Sequence, residues 1–172
     1  TAWAAAGKTA VFVATRNRVI GIIGLADAIR PESRSACDQL RQLGLKLVMI
    51  TGDNSNVAAA VGKALGIEMV LAEVLPDQKG AMIERLRREG SRVAMVGDGI
   101  NDAPALAAAD VGIAIGAGTD VAIETADVIL VRNDPRSVVD VIKLSQLMRR
   151  KMIQNLLWAT AYNVLTIPVA AG

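Results

Sequence analysis

The polar side chains with the clearest capacity for chemistry lie in the string Gly-Asp-Gly-Ile-Asn-Asp, just past the middle of the chain. Asp98 and Asp102 supply two carboxylates, and Asn101 supplies an amide between them. Oxygen donors of this kind suit an Mg²⁺ ion that holds a phosphate group. Gly97 and Gly99 flank the first carboxylate, so the backbone can turn sharply and a ligand can approach closely. An ordinary Asp-Gly turn without chemistry is the alternative.

A strand and a helix are predicted on either side of this string. The run 92–96 is apolar and partly β-branched, which is typical of a strand. Asn101 or Asp102 can cap the helix that follows, and Pro104 suits its first turn. The carboxylates are therefore expected at the carboxyl end of a strand, the edge at which open α/β sheets bind ligands.

Two further segments have groups suited to binding an anion. Thr51, Gly52 and Asp53 directly follow an apolar run that predicts a strand, and a hydroxyl with backbone N–H groups can hold an anion there. Lys79 lies in the first turn of the helix predicted after Pro76, where its charge opposes the helix dipole. This position indicates that the lysine faces an anion. A simple helix cap and a solvated lysine are the respective alternatives.

The predicted elements bring these segments together. Apolar runs of strand length alternate with helical patterns through most of residues 10–131, beginning with a hairpin around residues 16–18. This alternation predicts an α/β fold with a parallel sheet and right-handed crossovers. We therefore expect residues 51–53, Lys79 and residues 98–102 to converge at one edge of the sheet.

Composition excludes several classes of function. The chain has no histidine, which excludes Ser-His and Cys-His catalysis and histidine metal sites. Cys37 is the single cysteine, so neither an internal disulfide nor a thiolate metal cluster can form. The net charge of +2 gives no general electrostatic case for binding nucleic acid.

The end of the sequence has the composition of a membrane segment. Residues 152–172 carry no charge, and their number is close to the roughly 20 residues that a helix needs to cross a bilayer. The basic residues 149–151 precede them, so the positive-inside rule places residues 1–151 in the cytoplasm. We expect a domain over 1–135, a basic connecting helix over 136–151, and then a truncated transmembrane helix. A buried helix of a soluble domain is the alternative.

The combined motifs resemble those of the heavy-metal-transporting P-type ATPases, whose phosphorylation domain has the haloacid dehalogenase fold. Residues 97–106 match the family pattern GDGxNDxPAL, residues 51–53 its TGD, and residues 76–79 its PxxK. The resemblance covers essentially the whole chain. It implies a Rossmann-like parallel sheet with flanking helices, followed by a membrane-entering helix, in an integral protein of the cell membrane. It also implies ATP-driven export of a heavy-metal cation through a phospho-aspartate intermediate, with ATP and Mg²⁺ as cofactors.

The resemblance implies roles for individual residues. Asp98 would bind Mg²⁺, and Asp102 would support the same metal site. Thr51 and Lys79 would hold the phosphoryl group, and Asn101 would contact the phosphate. Gly52 and Asp53 are the other candidate catalytic residues, and Gly97 and Gly99 join Thr51 and Lys79 as candidate cofactor-binding residues. Tyr162 and Asn163 resemble the Tyr-Asn pair of the copper-transporting branch, which implies copper as cargo, silver next, and zinc or cadmium less favoured. Hydrogen bonding between helices is the alternative role for Asn163.

One departure from the family decides what the chain can do. The family's phosphorylated aspartate lies in the motif Asp-Lys-Thr-Gly-Thr, which is absent here. We expect that motif upstream of Thr1, with most of the nucleotide-binding domain, and we expect the chain by itself to be inactive. A soluble Mg²⁺-dependent phosphatase of the same superfamily would need an Asp-x-Asp nucleophile, and residues 10–27 contain none. A catalytically inactive, membrane-associated regulator is the other alternative.

Overall fold

The computed structural model describes residues 9–25, 28–98, 101–116, 124–170 and 172. The chain divides into two units, residues 1–137 and residues 138–172. The elements of the described ranges are, in chain order, β1 (Thr9–Thr15), β2 (Arg18–Leu25), α1 (Pro31–Gln42), β3 (Val48–Ile50), α2 (Ser55–Leu65), β4 (Met69–Leu71), α3 (Pro76–Arg88), β5 (Ala94–Gly97), α4 (Ala103–Ala108), β6 (Val111–Ile115), β7 (Val128–Leu130) and α5 (Arg136–Ala170).

The strands β1 and β2 form the predicted hairpin around residues 16–18. They are antiparallel, and Phe12 pairs with Ile22. The register shifts between Val13 and Ala14, an irregularity that increases the local twist of a ribbon. The apolar side chains of this hairpin are largely exposed, with Phe12 at 60%. A two-stranded ribbon with so little burial is not stable in isolation.

The remaining strands are parallel, which confirms the predicted α/β fold. β3 pairs with β4, β5 pairs with β6, and β6 pairs with β7. No backbone hydrogen bonds join β3 to β5 in the described ranges, so the parallel strands form two groups. Both groups pack on one core, because Met95 of β5 is buried with Ile83 and Leu106, and Ile50 of β3 packs against this cluster.

Local signals set the ends of α2, whereas pairing sets the length of β3. The Asn54 side chain caps α2 by accepting a hydrogen bond from the Val57 N–H at 3.0 Å. Gly66 ends the helix in the left-handed conformation, with φ of +68°. The apolar run predicts a strand over 45–50, but β3 covers only Val48–Ile50. It is shorter because its partner β4 offers three residues for pairing.

The carboxyl-terminal helix covers both the predicted connecting helix and the predicted membrane segment. α5 runs without interruption over Arg136–Ala170, where the sequence predicts a connecting helix and then a membrane-entering helix from residue 152. No helix of the described chain is long and apolar enough to cross a membrane.

Candidate functional site

The loop after β3 is closed by its own side chains. Thr51 Oγ1 donates a hydrogen bond to Asp53 Oδ2 at 2.8 Å and accepts one from the Asp53 N–H at 3.1 Å. The Thr51 N–H extends the strand pairing by donating to the Leu71 carbonyl at 2.9 Å. Thr51, Gly52 and Asp53 therefore lie where the sequence places them, between the carboxyl end of β3 and the amino end of α2.

The loop between β4 and α3 binds the loop after β3. The Glu73 N–H donates to the Asp53 carbonyl at 2.9 Å, and the Val74 N–H donates to the Thr51 carbonyl at 3.0 Å. The Glu73 carboxylate accepts hydrogen bonds from the N–H and the hydroxyl of Ser55 at 3.1 and 2.9 Å. These hydrogen bonds hold the pKa of Glu73 below its usual value, and the bond from the Ser55 backbone N–H has the larger effect. The two loops are thus joined by both backbone and side-chain hydrogen bonds.

Lys79 reaches from the first turn of α3 to the segment after β5. Its Nζ lies 2.6 Å from Asp102 Oδ1, and the two side chains are only 13% and 15% exposed. At such low exposure the loss of either partner is costly. Asp102 begins α4, but its side chain makes no capping hydrogen bond there. Of the two predicted caps, Asn101 and Asp102, the second is the N-cap residue of α4, but its carboxylate binds Lys79 instead of the helix backbone.

The end of β5 carries the other predicted metal and phosphate residues. A Cβ atom at Gly97 would lie 2.5 Å from Asp102 Oδ2, so glycine is needed where this carboxylate approaches the strand. Asp98 and Asn101 are exposed. Gly99 lies outside the described residues.

The carboxylates of Asp98 and Asp102 fit the donor preference of Mg²⁺. Protein sites for this ion use one or two carboxylates and take further ligands from water and from substrate phosphates. Lys79 binds only one oxygen of Asp102, and Asp98 is exposed at the end of its strand. In the part of the chain that the structure describes, no group of three or more acidic, cysteine or histidine side chains is placed to hold a metal. Mg²⁺ at these carboxylates would therefore take its other ligands from phosphate and water.

Tyr162 and Asn163 belong to the second unit, residues 138–172. Both residues are exposed on α5, with Tyr162 at 67%. The Tyr162 carbonyl accepts a hydrogen bond from the Thr166 hydroxyl at 2.7 Å, inside the helix. Their predicted contact with a transported ion stays a prediction.

Sequence reasoning missed Glu73 and the ion pair between Lys79 and Asp102. Glu73 has a left-handed backbone, with φ of +58°, and residue type gives no signal of it, because glycine and asparagine usually occupy such positions. The ion pair did have a signal, since opposite charges lay on two segments that were expected to meet at one sheet edge. The anion expected to face Lys79 is, in the structure, the carboxylate of Asp102 within the same chain.

A sequence profile of haloacid dehalogenase-like hydrolases matches residues 1–110, and a second profile of that description matches residues 79–142. The chain belongs to the haloacid dehalogenase-like hydrolases. This haloacid dehalogenase-like chain is 57% identical over 166 residues to the copper-exporting P-type ATPase B of Archaeoglobus fulgidus, with 96% of the chain and 24% of that protein covered. It is 52% identical over 167 residues to the copper-exporting P-type ATPase of Bacillus subtilis, with 97% and 21% covered.

A solved structure extends this similarity to the fold. The haloacid dehalogenase-like chain has a TM-score of 0.79 and 44% sequence identity to a zinc-transporting PIB-type ATPase in an E2.Pi state, with 90% of the chain and 25% of that protein covered. The resemblance to P-type ATPases that the motifs indicate is therefore confirmed. The chain spans about a quarter or less of the length of each of these proteins.

Proposed function

We propose that the chain is the part of an ATP-driven heavy-metal pump that holds Mg²⁺ and the phosphoryl group. The observation that carries this proposal is the poorly exposed ion pair between Lys79 and Asp102, which joins two sequence motifs typical of P-type ATPases. Identity of 57% to a copper-exporting P-type ATPase supports it. Neither a soluble phosphatase nor an inactive regulator accounts for that identity over 96% of the chain.

Different residues of the chain have different roles in binding the phosphoryl group. The Thr51 hydroxyl donates a hydrogen bond to one phosphoryl oxygen, and Lys79 offsets the negative charge of the group. Asn101 donates its amide N–H to another oxygen. Asp98 and Asp102 would hold Mg²⁺, which would supply charge neutralisation and polarisation of the phosphoryl oxygens.

The nucleophile comes from outside this chain. Thr51 directly follows β3 and Asp98 directly follows β5, and within the described residues each strand has hydrogen bonds to a neighbouring strand on only one side. Both strands nevertheless contribute to the same apolar core. A further parallel strand between them would deliver an aspartate to the same edge, beside the phosphoryl-binding residues. That aspartate would form the phospho-aspartate intermediate.

The proposed activity places the whole protein in the cell membrane. A pump that consumes ATP needs its phosphoryl-handling domain on the side where ATP is present, so residues 1–151 face the cytoplasm. The lipid bilayer and the transported cation are then partners of the whole protein, together with ATP.

Copper is the proposed cargo, with silver next. The chain is 57% and 52% identical to two copper-exporting P-type ATPases and 44% identical to the zinc-transporting one. Tyr162 and Asn163 would contact the transported ion, and their exposure on α5 leaves both side chains accessible.

Phosphorylation of the full-length protein tests the pump mechanism. Incubation with labelled ATP and Mg²⁺ should produce acid-stable, hydroxylamine-labile label, as expected of an acyl phosphate. Lys79→Ala should reduce the labelling rate by a factor of about 10² or more, because a preorganised cation is lost. Lys63→Ala, which removes an exposed lysine of α2, is the control. A full-length protein that acquires no label, or labelling unaffected by Lys79→Ala, would contradict the proposal.

Metal-stimulated ATPase activity tests the cargo. Copper(I) and silver(I) should stimulate the full-length protein, and Asn163→Ala should remove most of that stimulation. Asn155→Ala, on the same helix, is the matched control. Stimulation by zinc and not by copper or silver would refute copper as cargo. An Asn163→Ala protein as active as the control would remove Asn163 from the ion path.

A further inference from the structure

Glu73 has a backbone conformation that its residue type does not favour. It is the one non-glycine residue with positive φ, +58°, among the described residues. The left-handed region is uncommon for side chains other than Asn, Asp and His, and such outliers persist where the surrounding structure holds them. Glycine would adopt this conformation without steric cost. A glutamate at this position therefore indicates that its side chain makes a contact that glycine could not make.

The side chain of Glu73 binds the start of α2. Its Oε1 accepts hydrogen bonds from the Ser55 N–H at 3.1 Å and the Ser55 Oγ at 2.9 Å. The first turn of α2 has no acidic residue of its own. Glu73 thus supplies from a neighbouring loop the negative charge that favours a helix amino end. Glycine would satisfy the backbone at residue 73 but would leave this end of α2 without the carboxylate.

The backbone of the same residue binds the phosphate loop, which we define as residues 51–53. The Glu73 N–H donates to the Asp53 carbonyl, and the next N–H, that of Val74, donates to the Thr51 carbonyl. Two residues after Val74 the helix α3 begins, and it carries Lys79 in its first turn. One residue in an unfavourable conformation therefore joins the phosphate loop, the start of α2 and the segment that leads to Lys79.

We propose that Glu73 is a positioning residue, which holds the phosphate loop and the start of α2 in the geometry that receives the phosphoryl group. This inference rests on the proposed function, because the phosphoryl group is its ligand. Glu73 acts through Thr51 and does not contact the ligand itself. The lowered pKa of its carboxyl agrees with a side chain that is ionised and hydrogen-bonded at neutral pH.

The inference predicts a loss in the recognition of a phosphoryl mimic rather than in folding. Orthovanadate is the probe, and the concentration that half-inhibits the ATPase activity of the full-length protein is the measurement. Glu73→Ala should raise that concentration about tenfold, since two hydrogen bonds to a charged acceptor are lost. Glu68→Ala, which removes an exposed carboxylate before β4, should leave it unchanged. Thermal unfolding of both variants identifies any general loss of stability.

Two further variants separate the side chain from the backbone. Glu73→Gln keeps an oxygen acceptor for Ser55 and should recover most of the vanadate sensitivity. Glu73→Gly tolerates the positive φ but lacks the acceptor, so it should resemble Glu73→Ala. Hydrogen exchange at the Ser55 amide should be faster in Glu73→Ala and Glu73→Gly, and close to normal in Glu73→Gln.

The outcomes distinguish this inference from the proposed function. Full-length protein that is not inhibited by vanadate at all would overturn the proposed function, and the role of Glu73 with it. Inhibition that is equally strong in Glu73→Ala and Glu68→Ala would overturn the role of Glu73 alone. The role would also fall if Glu73→Gly behaved as the unaltered protein, or if Glu73→Gln were as impaired as Glu73→Ala.

Discussion

Lys79 and Asp102 lie 23 residues apart in sequence and form an ion pair of 2.6 Å with both side chains at or below 15% exposure. This contact fixes the first turn of α3 against the start of α4. The same two helices approach closely at Gly80, where a Cβ atom would lie 3.2 Å from the Pro104 carbonyl. The ion pair is thus part of a tight helix contact, and its contribution to stability and to ligand binding can be measured separately.

Removal of Lys79 should destabilise the chain much more than removal of a surface arginine. Breaking a buried pair typically costs about 3–5 kcal/mol, and we expect the lower end of that range for Lys79→Ala because both partners retain some exposure. Arg85→Ala breaks an exposed pair with Glu89 and should cost about 1 kcal/mol or less. Urea unfolding gives the free energy of unfolding of both variants. Equal decreases in that free energy would contradict a larger stabilising contribution from the Lys79 pair.

Gly97→Ala should disturb the carboxylate of Asp102. The new Cβ atom would fall 2.5 Å from Asp102 Oδ2, so the segment after β5 must shift. We expect a loss of about 1–3 kcal/mol in the free energy of unfolding, as for other overpacked positions. Gly21→Ala is the control, because a Cβ atom there has no neighbour within 4 Å. Similar unfolding midpoints for the two variants would show that the carboxylate is less constrained than its position indicates.

Asp98→Asn should abolish the Mg²⁺ dependence of phosphate-mimic binding in the full-length protein. The variant keeps the size of the side chain but lacks the carboxylate charge that a hard cation needs. Titration calorimetry with vanadate, with and without Mg²⁺, gives the measurement. Asp38→Asn changes an exposed carboxylate of α1 and is the control. An unchanged Mg²⁺ effect in Asp98→Asn would remove this residue from the metal site.

Low pH should destabilise the fold, in part through protonation of Asp110. Its Oδ2 accepts a hydrogen bond from the Val93 N–H at 2.9 Å, and its Oδ1 lies 3.1 Å from Arg87. The hydrogen bond from the Val93 N–H is the main cause that lowers the pKa of Asp110, and the positive charge of Arg87 lowers it further. Partial desolvation acts in the opposite direction but is outweighed. A lowered pKa in the folded state stabilises the fold above the ordinary pKa, and this contribution is lost as the pH falls through the lowered value.

Thermal unfolding at different pH values tests this contribution. Between about pH 6 and about pH 3 the midpoint should fall further for the unaltered chain than for Asp110→Asn, which keeps an acceptor for Val93 but cannot titrate. Asp77→Asn, at an exposed position in the first turn of α3, should follow the unaltered chain. If the unfolding midpoint changed with pH to the same extent in all three proteins, Asp110 would not contribute to the pH dependence of stability.

The sequence predicts the elements better than it predicts their contacts. The hairpin, the left-handed end of α2 at Gly66 and the order of strands and helices all follow from local chemistry, which a sequence displays directly. The shortened β3 does not follow, because its length depends on a partner strand. The side chain of Asp102 was expected to cap a helix, and a lysine from another helix binds it instead. The conformation of Glu73 arises from contacts with Asp53 and Ser55, which residue type does not reveal.

The hydroxyl of Thr51 already has an acceptor for its proton. Because Asp53 Oδ2 accepts a hydrogen bond from this hydroxyl at 2.8 Å, an incoming group must displace a carboxylate oxygen to receive that hydrogen bond. Binding becomes an exchange, and its net gain depends on the difference between two acceptors. A phosphate oxyanion competes well in such an exchange, whereas the neutral hydroxyl of a sugar or an alcohol does not. A loop that binds the phosphoryl group as proposed would therefore select strong hydrogen-bond acceptors over neutral hydroxyl groups.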